Sequence, residues 1–395
     1  MIEKQDKSCM ACGHSGMEIF YRVESVPVNS CLLLESAQVA RSINKGSIQL
    51  GFCNHCGFIS NLAFDPKLTE YSGRYEETQG FSPTFREFNE GLARDLIARH
   101  DLHNKKVVEI GCGKGEFLHL LCAFGDNEGL GFDPSYVESR DQPIRAQRIQ
   151  FVQDFFSEKY PTEADFVCCK MTLEHIPETR QFVNSIRQTV RGDPGSEIFI
   201  QVPEAARILQ HCAFEDIYYE HCSYFTPTSL AALLSSIGFD EVKTDIQYDG
   251  QYLTAEAKYG SGLRESQASV DTEGCRALAS LVASFQNRVA TKIFDWRQDI
   301  GQRSKMGQKI VLWGSGSKGV SFLTTLELNR EVEHVVDINP HRQGYYMAGT
   351  GQLIVSPEDL QEIRPDYVVV MNSVYVDEIR QTLAGLGLTP ELASL

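Results

Sequence analysis

The stretch 107–118 constrains the fold more than any other part of this chain. It reads VVEIGCGKGEFL: a β-branched run that includes Glu109, three glycines at alternate positions (Gly111, Gly113 and Gly115), and then an amphipathic segment. Glycines between a strand and a helix let backbone N–H groups approach a ligand, because a Cβ there would block the approach or forbid the backbone angles. The spacing differs from the G-x-G-x-x-G of dinucleotide-binding turns. The alternative is a glycine-rich turn that binds nothing.

Strand and helix patterns alternate on both sides of this motif. Predicted strands lie at 105–111, 130–133, 149–154, 165–171, 196–202, 240–248 and 251–259, and predicted helices at 116–124, 179–190 and 228–237. Ser82-Pro83 and Thr226-Pro227 are each predicted to begin a helix, as an N-cap followed by a first-turn proline. Such alternation predicts an α/β fold with a mostly parallel, doubly wound sheet that binds ligands at its carboxyl edge. Together with the glycine motif, it resembles the class I S-adenosylmethionine (SAM) methyltransferases, whose sheet ends in an antiparallel pair.

Polar and aromatic residues follow the second and third predicted strands. Asp133 lies 18 residues past Gly115, where a carboxylate can accept both ribose hydroxyls of a nucleoside. Asp154 and Phe155 end the third strand, where the resembled family contacts adenine. With Glu109 and the three glycines, these residues form the predicted SAM site. Ordinary solvation of strand ends is the alternative interpretation.

Two C-x-x-C-G turns begin and end a segment near the N-terminus, at Cys9 and Cys12 and at Cys53 and Cys56. Each turn aims two thiolates at one point, and two such turns form a tetrahedral cage that suits Zn²⁺. Redox-active dithiols, disulfides or an iron centre are the alternatives. A closed four-thiolate site leaves no open coordination position, so we expect structural zinc in a strand-rich lobe over residues 1–80.

The loop 214–225, which reads FEDIYYEHCSYF, follows the fifth predicted strand of the sheet. The imidazole of His221 has an ordinary pKa near neutrality, which suits a base that removes a proton beside a carbonyl. Glu220 could orient that imidazole, and the phenol of Tyr218 could donate to a developing enolate oxygen. The alternative is an aromatic loop with a satisfied, partly buried histidine.

Two further side chains are predicted to reach the same cleft. His175 lies in the segment LEHI after the fourth strand, which resembles a segment common in small-molecule methyltransferases. It could orient a loop or transfer a proton. Tyr71 lies in the polar, aromatic segment 68–77, which is either a lid over the site or a surface linker.

A second glycine turn occurs near the C-terminus. A long amphipathic helix is predicted from 278 to 300, and a strand at 309–313 then leads into Gly314–Gly319, a G-x-G-x-x-G turn. Asp337 follows about 20 positions on, as in dinucleotide-binding folds. The unit is about half a full Rossmann domain, so we do not expect an intact NAD site. Lys318 is placed for a phosphate, or is simply solvated.

Together these features resemble the sugar C-methyltransferases of antibiotic and surface-polysaccharide pathways. The resemblance implies a zinc lobe (1–80), a SAM domain (81–262), a linking helix (263–306) and a smaller C-terminal Rossmann-like domain (307–395) that helps to hold a nucleotide-sugar. It also implies methylation of a carbon of a nucleotide-linked keto-deoxysugar. By resemblance, His221 is the base and Glu220 and Tyr218 assist it, while Tyr71 and His175 match the family's lid tyrosine and fourth-strand histidine.

Two positions depart from that family. Its loop typically reads Tyr-His-Glu-His, whereas Tyr219 replaces the first histidine here. A His-Gly-Gly-Ser signature of its best-known members is replaced by DGQY at 249–252. The second change concerns the substrate and the methylated carbon rather than the SAM site.

Composition excludes other classes of partner. The formal net charge of −16 is unsuited to a nucleic-acid surface, which needs basic patches to neutralise phosphates. The first seven residues are polar and the apolar runs are short, so we expect no signal peptide, no membrane span and a cytoplasmic protein. The predicted partner is a small-molecule substrate, and the chain is expected to be a monomer or homodimer.

Three rival functions are open on sequence alone. The chain could methylate oxygen or nitrogen instead of carbon. It could methylate a carbon of a natural-product intermediate that is not a sugar. It could also be a non-catalytic binding or scaffold protein with a vestigial methyltransferase fold.

Overall fold

The computed structural model describes residues 3–138, 140, 143–191, 195–260 and 272–395. Within these residues the chain forms a five-stranded, a seven-stranded and a second five-stranded sheet, together with one short two-stranded pair. The predicted α/β class, with a mostly parallel central sheet that ends in an antiparallel pair of strands, is confirmed. Among the described helices, none is both long enough and apolar enough to cross a bilayer.

The N-terminal lobe is an antiparallel sheet whose connections carry the two cysteine turns. In both turns the amide of the following glycine donates to the carbonyl of the first cysteine: Gly13 to Cys9 at 2.8 Å and Gly57 to Cys53 at 2.9 Å. Both glycines have positive φ (77° and 76°), which side chains disfavour. The elements are β1 (Glu3–Ser8), β2 (Ser15–Pro27), α1 (Ala37–Arg41), β3 (Lys45–Phe52) and β4 (Ile59–Asn61).

The central sheet has the strand order β13-β14-β11-β9-β5-β6-β7 and is parallel except for β14, which is antiparallel to both neighbours. Because strand order reverses between β5 and β9, a crevice opens at their carboxyl ends. The elements are α2 (Pro83–His100), β5 (Lys106–Ile110), α3 (Glu116–Gly125), β6 (Glu128–Phe132), β7 (Ile149–Val152), β8 (Thr162–Glu163), β9 (Phe166–Lys170), α4 (Thr179–Thr189), β10 (Val190–Arg191), β11 (Glu197–Pro203), α5 (Ala205–His211), β12 (Ser223–Tyr224), α6 (Pro227–Ile237), β13 (Phe239–Gln247) and β14 (Tyr252–Tyr259).

Local capping explains where two central helices begin. The hydroxyl of Ser82 accepts from the amide of Phe85 at 3.2 Å and is followed by a proline in the first turn of α2. Thr226 and Ser229 form a reciprocal capping box at α6, again with a proline in the first turn. The predicted starts of both helices are confirmed.

The short strand β12 comes from the central part of the chain, but it pairs with the N-terminal sheet as its fifth strand. Ser223 pairs with Ser60 in antiparallel register, and the amide of Asn61 donates to the carbonyl of Cys222 at 2.8 Å. The sequence analysis did not predict this strand. Its pairing fixes one end of the loop 214–225 against the N-terminal lobe.

The C-terminal sheet is wholly parallel, in the order β17-β16-β15-β18-β19. Strands β17 and β19 were not predicted from the sequence. The start of the predicted linking segment, 263–271, lies outside the described residues. The elements are α7 (Thr272–Lys305), β15 (Ile310–Trp313), α8 (Ser317–Thr325), β16 (His334–Val336), β17 (Leu353–Val355), α9 (Leu360–Ile363), β18 (Tyr367–Val370), α10 (Val376–Gly385) and β19 (Glu391–Ser394).

Helix α7 joins the N-terminal and C-terminal sheets into one apolar core. The ring of Phe285 meets those of Phe20 and Tyr21 edge-on, with centroids 5.8 and 5.3 Å away. Further along α7, Trp296 meets Phe322 of α8 at 5.5 Å. These contacts place the glycine turn before α8 beside the central domain.

Candidate active site

The glycine turn after β5 has backbone angles that side chains disfavour. Gly111, Gly113 and Gly115 have φ values of 74°, 53° and 84°. A Cβ on Gly111 would lie 1.9 Å from the hydroxyl of Thr172, so the turn has no room for one. The amide of Gly113 donates to Oδ2 of Asp133 at 2.8 Å, which holds that carboxylate beside the turn.

A cavity of about 960 Å³ opens at the carboxyl edge of the central sheet. Segments that connect the strands of each of the three large sheets line this cavity, and one of them is the C-terminal turn that contains Gly314 and Gly316. Of the predicted catalytic and SAM-binding residues, Gly115 and Glu220 are outside this lining. Those that line it are Tyr71, Glu109, Gly111, Gly113, Asp133, Asp154, Phe155, His175, Tyr218 and His221.

The carboxyl group of Glu109 faces the cavity from the end of β5. The residue is 2 % exposed, and its Oε2 has no hydrogen-bond partner among the described residues. Burial raises the pKa of Glu109 to about 8, against the opposing attraction of Lys170. An orphaned acceptor of this kind fits a ligand that brings its own donors.

The two residues predicted to contact adenine lie at the edge of the cavity. The carboxylate of Asp154 accepts from Lys159 Nζ at 2.5 Å and from the Tyr160 hydroxyl at 2.7 Å. The side chain of Phe155 is 60 % exposed, which is unusual for so large an apolar group. Its ring is therefore available to a ligand that enters the cavity.

Four of the five predicted catalytic side chains come together in one hydrogen-bonded group. The hydroxyl of Tyr218 is 2.7 Å from Nε2 of His221, and the hydroxyl of Tyr71 is 3.0 Å from Nδ1 of His175. The two imidazole rings meet edge to face, with centroids 4.9 Å apart. The same Nδ1 of His175 is 3.1 Å from the backbone oxygen of Glu220.

Burial sets the protonation of this group. Burial lowers the pKa of His175 to about 4. It also lowers the pKa of His221 well below its ordinary value, and the positive charge of Lys318 lowers that pKa further. Both imidazoles are therefore neutral at pH 7, and a neutral imidazole can accept a proton. Burial also raises the pKa of Tyr218 well above 10, so its phenol remains a donor.

The carboxylate of Glu220 points away from His221. Its oxygens accept from the amide of Ser30 at 2.9 Å, from the Ser30 hydroxyl and from Asn29 Nδ2 at 3.3 Å. The Ser30 hydroxyl in turn lies 2.7 Å from that of Ser317 at the start of α8. The sequence analysis expected Glu220 to orient His221, whereas its side chain fastens the loop to the other two lobes.

The C-terminal domain holds the other end of this loop. The hydroxyl of Ser321 in α8 donates to the carbonyls of Phe214 and Ile217 at 3.0 and 2.9 Å. Lys318 forms an ion pair with Asp216 at 3.0 Å. The loop 214–225 is therefore positioned by contacts that are distant in sequence.

The charged residues of the cavity wall that were not predicted from the sequence include Lys170 at the end of β9 and Glu174 beside His175. Both carboxylate oxygens of Glu174 are buried and lack hydrogen-bond partners among the described residues. Glu174 is part of the LEHI segment, but nothing in its local pattern shows that the side chain turns inward.

The four cysteines of the N-terminal turns converge as predicted from their spacing. The Sγ atoms of Cys9 and Cys56, and those of Cys12 and Cys53, are each 3.7 Å apart. Tetrahedral thiolate ligands of zinc are about 3.8 Å apart, so the group fits that ion. None of the four lines the cavity, and the carbonyl of Ala11 accepts from Arg180 Nε at 3.0 Å, which ties the turn to α4.

Comparison with protein families defines the class of this protein. Residues 85–244 match the methyltransferase domain family, and residues 256–387 match the family described as C-methyltransferase C-terminal domain. The chain is therefore a SAM-dependent methyltransferase, and the two matches together support a C-methyltransferase.

Individual relatives are more distant. The C-methyltransferase NovU of Streptomyces niveus is 24% identical over 295 residues, which cover 69% of this chain and 67% of NovU. A ubiquinone biosynthesis O-methyltransferase of Erwinia tasmaniensis is 30% identical over 142 residues, 34% of this chain and 57% of that protein. Among solved structures, human N-acetylserotonin methyltransferase with SAM is 20% identical, with a TM-score of 0.35 over 44% of this chain and 55% of that one.

Proposed function

We propose that this protein transfers a methyl group from SAM to a carbon beside the carbonyl of a nucleotide-linked keto-deoxysugar. One observation carries the proposal: the neutral imidazole of His221, hydrogen-bonded to Tyr218, lines the same cavity as the glycine turn of the methyltransferase domain. The C-terminal family match and the likeness to a C-methyltransferase support methylation at carbon.

The proposed SAM site consists of the glycine turn and the strand ends around it. Asp133 would accept the ribose hydroxyls, Phe155 would cover the adenine ring beside Asp154, and the orphaned oxygen of Glu109 would accept from the amino acid end. When bound, SAM supplies an electrophilic methyl group on a sulfonium ion. A Cβ at Gly111 or Gly113 would collide with Thr172 or Glu77, which also line the cavity, so a larger residue there would disturb the cavity wall.

The proposed base is His221. Its neutral ring takes the proton from the substrate carbon: the C–H bond breaks, an N–H bond forms, and the electron pair stays on the substrate as an enolate. Phenols that remain protonated, those of Tyr218 and Tyr71, can donate to the enolate oxygen. His175 positions Tyr71 through their hydrogen bond of 3.0 Å.

The nucleotide is proposed to lie at the C-terminal glycine turn. That turn faces the cavity at the start of α8, where backbone N–H groups and the ammonium of Lys318 attract phosphate. Gln251, in the segment that replaces the family's His-Gly-Gly-Ser signature, exchanges amide hydrogen bonds of 3.0 and 2.9 Å with Asn372. This pair lines the cavity and offers amide groups that can pair with a nucleobase.

Calorimetry and turnover of His221→Ala test the proposed function. We expect the variant to bind SAM like the wild type but to lose methyl transfer to a nucleoside-diphosphate keto-deoxysugar by a factor of about 10² to 10⁴, the usual worth of a general base. Full activity would remove His221 from the mechanism.

Deuterium exchange separates carbon from heteroatom methylation. With S-adenosylhomocysteine in place of SAM, the wild type should exchange solvent deuterium into the keto-sugar, because proton removal precedes carbon methylation. Methyl transfer without any exchange would instead favour oxygen or nitrogen as the acceptor.

A further inference from the structure

Glu174 is a buried carboxyl group in the cavity wall that the proposed mechanism does not use. The residue is 1 % exposed, and among the described residues neither oxygen has a hydrogen-bond partner. Burying a carboxyl group without partners costs free energy, so its position needs a compensating contact. The side chain lines the cavity, where that contact would form.

The geometry places this carboxyl group beside both imidazoles. One carboxylate oxygen of Glu174 and one ring nitrogen each of His175 and His221 lie within 4.8 Å of one another. The backbone holds the segments together, because the amide of Cys222 donates to the carbonyl of Glu174 at 3.0 Å. The three side chains therefore keep their relative positions when the cavity is empty.

Glu174 is buried, so its ionisation depends on the charged groups around it. Burial raises the pKa of Glu174 to about 8, and Lys170 is the cation that opposes this rise. Besides the two imidazoles, the titratable groups whose pKa values the charge of Glu174 raises are Cys169, Lys170, Cys222, Tyr71, Tyr218 and Tyr252. The cysteine and tyrosine groups are neutral at pH 7, because burial raises their pKa values.

We propose that Glu174 is a positioning residue for the base, and that its carboxylate supplies the countercharge when His221 takes up the substrate proton. This inference rests on the proposed function. The proton forms an N–H bond on His221, the electron pair stays on the enolate, and Glu174 remains ionised throughout. A protonated His221 beside an uncharged Glu174 would instead be a buried cation without a partner, which is strongly disfavoured. The reactive state thus combines ionised Glu174 with neutral His221.

The pH dependence of turnover in Glu174→Gln tests this role. In the wild type kcat should rise as pH increases through the pKa of Glu174, whereas the isosteric variant should lose this rise. At alkaline pH its kcat should be at least about tenfold lower, which corresponds to one pKa unit of interaction. The KM for the sugar substrate and the affinity for SAM should stay unchanged, and Glu174→Asp should recover the pH-dependent rise.

Glu215→Gln is a matched control. Glu215 is also a buried carboxyl group, at 2 % exposure, and its Oε2 accepts no hydrogen bond, but that oxygen forms an ion pair with Lys292 at 3.6 Å and the residue does not line the cavity. Its pH profile should follow that of the wild type. A profile of Glu174→Gln that also follows the wild type would overturn the proposal.

Nuclear magnetic resonance of ring-labelled histidine gives a readout that needs no sugar substrate. With S-adenosylhomocysteine bound, the ring resonances of His221 should shift in the wild type as the neighbouring Glu174 ionises at a pH of about 8, and Glu174→Gln should lack this step because it has no carboxyl group to ionise. If wild-type protein fails to turn over the keto-sugar, the proposed function fails while this titration still decides the role of Glu174. An unchanged titration, or an additional metal ion per chain that Glu174→Gln removes, would overturn the inference.

Discussion

Buried carboxyl groups in the cavity wall are the main electrostatic feature at the scale of single residues. Burial raises the pKa of Glu77 to about 7 and those of Glu109 and Glu174 to about 8. A group whose pKa is higher in the folded than in the unfolded chain stabilises the fold below its unfolded pKa. That contribution is lost as pH rises through the folded pKa.

Glu174→Gln should therefore change the pH dependence of stability in a defined direction. Relative to the wild type, the ligand-free variant should gain stability between pH 5 and pH 9, because it has no buried carboxyl group to ionise. The gain should be on the order of 4 kcal/mol, because the folded and unfolded protonation states differ over about three pH units and each unit is worth about 1.4 kcal/mol. Urea unfolding at both pH values measures it. An equal difference at the two pH values would show that Glu174 ionises as freely as a solvated carboxyl group.

Among the elements, the strand–turn–helix unit β5–α3 depends on glycine where φ is positive and a Cβ would collide with a neighbouring side chain. Gly111→Ala would bring a Cβ to 1.9 Å from Thr172 and force alanine into a left-handed conformation. We expect a loss of about 1–2 kcal/mol in stability and a SAM affinity at least about tenfold weaker. Urea unfolding and calorimetry measure the two effects.

Gly91→Ala serves as the comparison for that substitution. Gly91 lies inside α2, and a Cβ there would meet nothing within 4 Å. Alanine in a helix interior is favoured over glycine, so this variant should gain about 0.5–1 kcal/mol and bind SAM normally. Equal SAM affinities for the two alanine variants would contradict the proposal that the glycine turn after β5 binds SAM.

At the scale of the whole molecule, the three sheets share one site because a single loop is fastened to all of them. The loop carrying His221 continues from the central sheet and pairs with β4 through Ser223. Its Glu220 accepts from Ser30, and its Phe214 accepts from Ser321 of α8. The position of the base thus depends on the N-terminal lobe being folded.

Removal of the proposed zinc should for this reason affect turnover more than SAM binding. Cys53→Ser should lose the metal, lower the melting temperature and reduce kcat, because the sheet that carries β4 loses its cross-link. Metal analysis, thermal unfolding and turnover measure these changes. Cys122→Ser, at a buried cysteine of α3, should retain the metal. If metal-free Cys53→Ser kept the melting temperature and the kcat of the wild type, the ion would have no structural role.

Local features were readable from the sequence because each depends on neighbours along the chain. The glycine turn, the helix starts at Ser82 and Thr226, and the alternation of strands and helices all depend on backbone angles and periods within a few residues. The two C-x-x-C-G turns were predicted for the same reason, since each sets its own geometry.

Contacts between distant segments were decided by the tertiary structure alone. The pairing of Ser223 with Ser60 and the turn of Glu220 towards Ser30 join residues more than a hundred positions apart, and no local pattern encodes them. The burial of Glu174 beside His221 belongs to the same group. The sequence by itself determined the donor fold and the candidate base, because backbone geometry and side-chain chemistry are local. Only packing decided which carboxyl group stands next to that base.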